Sequence, residues 1–234
     1  MKIEMSAAIA GLAVSGIASA AFVNYSVVST TGLSSGGNAV TRWEVFANFN
    51  GPTDTVLNVF NFQAQGGWAA HADAQQGFWH KDLSDSNSGV MMKEFGTWAP
   101  TLTGSATANR PFDSFLLIGG TTGASNTTTA DPSWAGGSFN QPQLPAFNDL
   151  GWFNASPPNL QGRVGIAPNT ATQVKLGQFM LSANDTAFRT YTLRIAVNNA
   201  TVAAPVFSDG SFNLPAPGAI ALLGLAGLTG RRRR

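Results

Sequence analysis

The sequence predicts an all-β protein: an antiparallel β-sandwich, Greek-key or jelly-roll-like, with long loops. Three observations lead there. Short runs rich in Val, Ile, Phe and Thr recur along the chain, as pleated, half-buried strands require. Each run is bounded by Gly, Pro, Asn or Asp. No window after residue 21 carries a sustained 3.6-residue apolar period with caps. The candidate strands lie at 22–30, 40–49, 55–63, 112–118, 163–167, 173–182, 188–197 and 202–212. Seven or eight short strands suit a two-sheet architecture.

Taken in order, the first element is not a strand. Met1-Lys2-Ile3-Glu4 opens the chain, an apolar run follows from Met5 to Ile17, and Ala18-Ser19-Ala20 closes it. A basic start, a short apolar stretch and a small-x-small site make a secretory signal helix. Cleavage is expected between Ala20 and Ala21, because the peptidase pockets admit only small side chains at Ala18 and Ala20. Domain boundaries follow: a signal peptide over 1–20, one β-sandwich domain over 21–213, and a tail over 214–234.

Within the domain, Asn50-Gly51-Pro52 separates two strand runs and reads as a turn. Gly177 inside the 173–182 run reads as a bulge. From Tyr191 to Val197 the alternation is strict, with Leu193 and Ile195 sharing one face. Two stretches fit neither strand nor helix. Residues 64–111 hold both histidines, and residues 119–160 are rich in Gly, Thr, Asn and Pro. Loops of such length are uncommon unless they carry function. The low-complexity run 121–130 reads as a loop tip.

Charge narrows the function. The chain has 13 Lys+Arg, 12 Asp+Glu, no Cys, and a charged fraction of 11%. Five of the basic residues (Lys2 and Arg231 to Arg234) and one acid (Glu4) lie in the two ends, which leaves 8 basic against 11 acidic residues. A mildly acidic domain without a basic patch does not bind nucleic acid, which needs clustered cations to displace counterions. The lack of Cys excludes disulfides, thiolate metal sites and a cysteine nucleophile.

Motifs for catalysis are thin. Gly32-Leu33-Ser34-Ser35-Gly36 matches a nucleophile elbow in letters, but a strand pattern follows where the elbow needs a helix. His71 and His80, each two residues before Asp73 and Asp82, would with one Asp make the minimum ligand set of a zinc site, against the plainer reading of two loop histidines. A calcium ion on scattered oxygens has candidate ligands in Asp54, Asp82, Asp85 and Asp131. A glycosidase needs two carboxylates, and only Glu44 and Glu94 join the aspartates in the domain. Glu44 reads as a solvent-facing strand residue. The chain is read as no enzyme, and no cofactor is expected.

Aromatic side chains carry more. Trp68, Trp79, Trp98, Trp134 and Trp152 all fall in the loop-rich stretches. Loops on a rigid scaffold are where binding residues concentrate, so Trp79, Trp134 and Trp152 are the candidate sugar-stacking residues. The competing role is packing, since Trp is well buried on average.

The tail reads Leu214-Pro215-Ala216-Pro217-Gly218, then AIALLGLAGLTG, then four arginines. The prolines stop any preceding element. Residues 218–230 as a helix span roughly 20 Å, short of the about 20 residues a bilayer core demands. Terminal arginines hold that end on the cytoplasmic side. This tail resembles the PEP-CTERM sorting domain of exopolysaccharide-producing Gram-negative bacteria, over the last 21 residues. Ala216 stands where the namesake motif has Glu. Residues 131–141 (DPSWAGGSFNQ) and 151–162 (GWFNASPPNLQG) are also similar to a pattern in other PEP-CTERM-tagged proteins of unassigned function.

The resemblance implies processing at Pro215, Ala216 and Pro217 by an exosortase-like membrane enzyme, after signal peptidase has acted. It implies only a transient stay in the inner membrane. The expected product is a secreted structural or adhesive protein of the cell surface or exopolysaccharide matrix. The alternatives are a carbohydrate-binding module using loop aromatics and a secreted hydrolase. Mass analysis of the exported protein is expected to find a chain that starts at Ala21 and lacks residues after about Pro217; full-length chain held in the inner membrane would overturn the processing expectation.

Overall fold

Alternation in the sequence becomes two-sidedness in space. The computed structural model describes residues 21–33, 39–65, 114–120, 127–131, 150–183, 189–199 and 204–214. Among them run nine strands: β1 (Phe22–Leu33), β2 (Ala39–Phe49), β3 (Thr55–Ala64), β4 (Phe115–Leu116), β5 (Thr128–Ala130), β6 (Leu150–Asn154), β7 (Gln173–Ser182), β8 (Arg189–Asn198) and β9 (Val206–Leu214). The protein is all-β, with every named strand pair antiparallel. A four-stranded sheet has the order β1-β2-β7-β4, and a five-stranded sheet the order β5-β6-β3-β8-β9. The expected signal helix and C-terminal helix lie outside the described residues.

The chain passes from the first sheet to the second three times, at β2 to β3, β4 to β5 and β7 to β8, and the first and last of these passages lie beside each other. β2 pairs with β7 in one sheet, while β3 pairs with β8 in the other. On β2, Trp43, Val45, Ala47 and Phe49 face inward, and Arg42, Glu44, Phe46 and Asn48 take the other face. β8 sends Tyr191, Leu193, Ile195 and Val197 inward, the parity the sequence indicates.

One hydrophobic cluster draws on both sheets, with Trp43, Val45, Leu176 and Phe179 from the first and Val59, Phe62, Trp152 and Tyr191 from the second. Phe62 sits at its centre. Its ring stacks on Phe179 at 5.2 Å and on Tyr191 at 5.5 Å, and meets Trp152 edge-on at 5.7 Å. Offset and edge-to-face contacts are the arrangements aromatic quadrupoles favour. The Phe62–Phe179 contact ties one sheet to the other.

Three expectations shift. Residues 163–167 form turns, with a single bridge from Arg163 to Thr55. Of the 112–118 run, residues 114–118 are described, and within them Phe115–Leu116 form a strand. β5 and β6 occupy parts of the stretch read as loop, because tertiary pairing and not local alternation makes them strands. Within β6, a side chain at Gly151 would begin 3.0 Å from the Val59 carbonyl oxygen, so close strand packing selects Gly there. The bulge expected at Gly177 is present: β2 pairs Val45 with Gly177 and Phe46 with Lys175, which leaves Leu176 extra.

Phe62→Ala should lower unfolding free energy by about 3–5 kcal/mol, read as an earlier urea midpoint. A loss under about 1 kcal/mol would mean the sheets do not share this core.

Candidate binding face

The five-stranded sheet has an outer side, and alternation decides what stands there. On β9, Phe212 and Leu214 turn inward, so Phe207, Asp209, Ser211 and Asn213 turn out. On β6, inward Trp152 leaves Phe153 facing out. The register places Thr129, Phe153, Asn58, Ala196 and Phe207 in one row across all five strands. Phe207 is 59% exposed and Phe153 38%. Three strand spacings separate them, about 14 Å at 4.8 Å per strand.

The next row holds Phe60, Arg194 and Asp209. Arg194 makes a two-pronged bond to Asp209, Nε to Oδ1 and Nη2 to Oδ2, each 2.6 Å. These hydrogen bonds hold the Asp209 carboxyl below its usual pKa and the Arg194 guanidinium above its own. The guanidinium carbon also lies 5.9 Å from the Phe60 ring centre, and Phe60 meets Phe207 edge-on at 5.9 Å. Further along, Thr192 lies opposite Ser211, and the Thr190 hydroxyl donates to Asn213 Oδ1 at 2.8 Å. Among the described residues, this face combines exposed Phe rings with hydroxyls and amides, and its Arg194 is matched by Asp209.

The opposite sheet turns its charges into a cluster. Glu44 accepts from Lys175 Nζ at 2.5 Å and lies 3.5 Å from Arg42 Nη2, with its side chain 20% exposed. Glu44 stands on the outer side of its sheet, as the sequence indicates, and there its carboxylate is engaged by two cations. Burial pushes the Lys175 amine below its usual range, against the hydrogen bond and charge of Glu44, while Arg42 adds to the lowering.

Of the candidate sugar-stacking residues, Trp152 is described, and it belongs to the core. It is 1% exposed, its indole Nε1 donates to the Leu117 carbonyl at 3.0 Å, and Phe62 and Phe179 meet its ring. No ring face is left for a sugar. Trp79 and Trp134 lie outside the described residues, as do Ala18, Ala20, Pro215, Ala216, Pro217, Glu94, both histidines, Asp82 and Asp85. Ala21 is described and leads directly into β1.

The GWFNASPPNLQG run is explained by what its amides do. Gln161 Nε2 donates to the Ile118 carbonyl at 3.1 Å and to Thr128 Oγ1 at 3.0 Å, while its Oε1 accepts from the Thr127 N–H at 2.9 Å. Asn154 Oδ1 accepts from Ser156 N, and its Nδ2 donates to Asn159 Oδ1 at 3.1 Å. At Gly162 a β-carbon would fall 2.1 Å from the Val56 carbonyl oxygen. This run fastens a connection to the strand ends, which is structural work.

Among the described residues no three His, Cys, Asp or Glu group into a metal-holding cluster, and no helix is long and apolar enough to cross a membrane. Asp54 and Asp131 thus belong to no such cluster among the described residues. Compared with protein-family models, curated proteins and solved structures, the chain matches none.

Asp54 is 1% exposed, and its Oδ1 has no hydrogen-bond partner among the described residues. Burial raises its pKa to about 6, from about 3.9 in an unfolded chain. The folded state then holds this proton more tightly than the unfolded state. Its stability contribution is most favourable below pH about 4 and declines as pH rises towards 6. Asp54→Asn should remove that decline and raise stability at pH 7 by about 1–2 kcal/mol. Urea midpoints for both proteins at pH 4.5 and pH 7 check this; parallel pH dependence in the two would refute it.

Proposed function

We propose that this chain is a secreted, non-catalytic structural or adhesive component of the cell surface or exopolysaccharide matrix of a Gram-negative-type bacterium. In this reading the signal peptide exports it, and the PEP-CTERM-like tail routes it past an exosortase-like enzyme. The two sheets then form a β-sandwich of Greek-key or jelly-roll kind. The side-by-side passages of β2 to β3 and β7 to β8 support that architecture, since interleaved connections between two facing sheets are typical of it.

The observation that carries the functional reading is the outer row Phe153–Asn58–Ala196–Phe207 on the five-stranded sheet. Small ligands favour concave pockets. A sheet face with separated, exposed rings suits a polymer instead, with sugar C–H groups on the Phe faces and hydroxyls bonded by Asn, Ser and Thr. The matched Arg194 and Asp209 favour a neutral or weakly charged glycan over a polyanion. Each contact is weak, and repetition along a polymer supplies avidity.

The carbohydrate-binding module is thus a version of the same reading, its platform moved from loop tryptophans to sheet phenylalanines. The hydrolase reading draws no support from Glu44, whose carboxylate is held by Lys175 and Arg42.

Gel retardation in the producing cell's exopolysaccharide and in a panel of neutral glycans tests the face. Phe153→Ala and Phe207→Ala should each weaken retardation several-fold and together abolish it, while Val28→Ala on the other sheet should leave it unchanged. Undiminished retardation in the double variant would exclude this face.

A further inference from the structure

Asn50 holds both polar backbone atoms of Ala21. Its side-chain Oδ1 accepts from the Ala21 nitrogen at 2.7 Å, and its own backbone N–H donates to the Ala21 carbonyl at 3.1 Å. The next residue is anchored as well: Phe22 pairs with Phe49 in the β1–β2 register, and its ring lies 4.6 Å from Tyr25 and 6.0 Å from Phe49. A clamp on the first residue before an edge strand is more than β1 needs to pair, since the unbroken pairs from Asn24 to Leu33 already fix its register.

We infer that Asn50 is the receptor for the mature N-terminus, and that it shields that terminus from stepwise trimming by aminopeptidases outside the cell. The inference rests on cleavage between Ala20 and Ala21. Hydrolysis of that bond puts the hydroxyl of water on the Ala20 carbonyl carbon and a proton on the Ala21 nitrogen, which takes up a further proton from solvent. An amide with one N–H becomes an ammonium with three, at the same position. One still meets Asn50 Oδ1, now as a charge-assisted bond about twice as strong as a neutral one. The other two remain for water, at an exposed site. An aminopeptidase must grip a free α-amine on an extended residue. Here it must first break two hydrogen bonds and pull Phe22 from its packing.

The test uses the full-length chain, exported by a host with a signal peptidase, and the mature protein recovered outside. Its first residue is identified, and the release of Ala21 by a broad-specificity aminopeptidase is then timed. Wild type should begin at Ala21 and resist. Asn50→Ala should lose Ala21 about tenfold faster, as loss of one charge-assisted hydrogen bond implies. Asn50→Asp, which keeps an acceptor, should behave as wild type. Because Asn50→Ala could loosen the turn, α-amine acylation of wild type is also compared with and without urea. Slower acylation of the folded protein is expected, and equal rates overturn the clamp. A mature start elsewhere overturns the cleavage reading beneath it. A start at Ala21 with equal trimming of wild type and Asn50→Ala overturns the clamp alone.

Discussion

The stack of Phe62 on Phe179 is the contact on which the rest of the structure depends. Each sheet by itself has a wet side and a greasy side, and the greasy sides are stable only against one another. With the charged fraction at 11%, ion pairs contribute little to holding the domain. Cohesion therefore rests on area removed from water, and aromatic rings deliver the largest share per side chain. Phe62, Tyr191, Phe179, Trp152 and Phe212 form a connected set of rings. Every strand that bears one of them is positioned by that set.

Amides do the corresponding work at the strand ends. Gln161, Asn154, Asn159 and Asn169 bond backbone and side-chain groups that no sheet partner serves, including the Arg163 carbonyl, met by Asn169 Nδ2 at 2.9 Å. Buried polar groups without partners are costly, so an irregular connection can lie against a core only if it brings its own donors and acceptors. Asp54 departs from this rule, and its raised affinity for a proton is the consequence.

Much of the fold was legible because β2 and β8 alternate, and alternation has one physical meaning on a sheet with one covered face. Trp43, Val45 and Phe49, or Tyr191 to Val197, announce their orientation in the letters. β6 does not. Gly151 is there for backbone clearance and Asn154 for its side-chain bonds, so neither speaks of a strand. Trp152 was misjudged for the same reason: a residue in a Gly- and Asn-rich stretch resembles a loop residue until its neighbours are known. The candidate binding face was not legible at all, since Phe153 and Phe207 look like core residues. The signal was parity. Phe207 is out of step with Phe212 on one strand, and Phe153 out of step with Trp152, so one of each pair had to face water.

The passage of the chain between sheets sets a timetable for folding. Glu44 and Lys175 touch across 131 residues of sequence, and β3 waits on β8 in the same way. Pairings so distant form slowly, because the intervening chain must first be brought round against its own entropy. A partly emerged chain that stops short of Gln173 has β2 beside β1 alone, with neither sheet complete. Until its far end is present, such a polypeptide has no partner strand with which to complete either sheet.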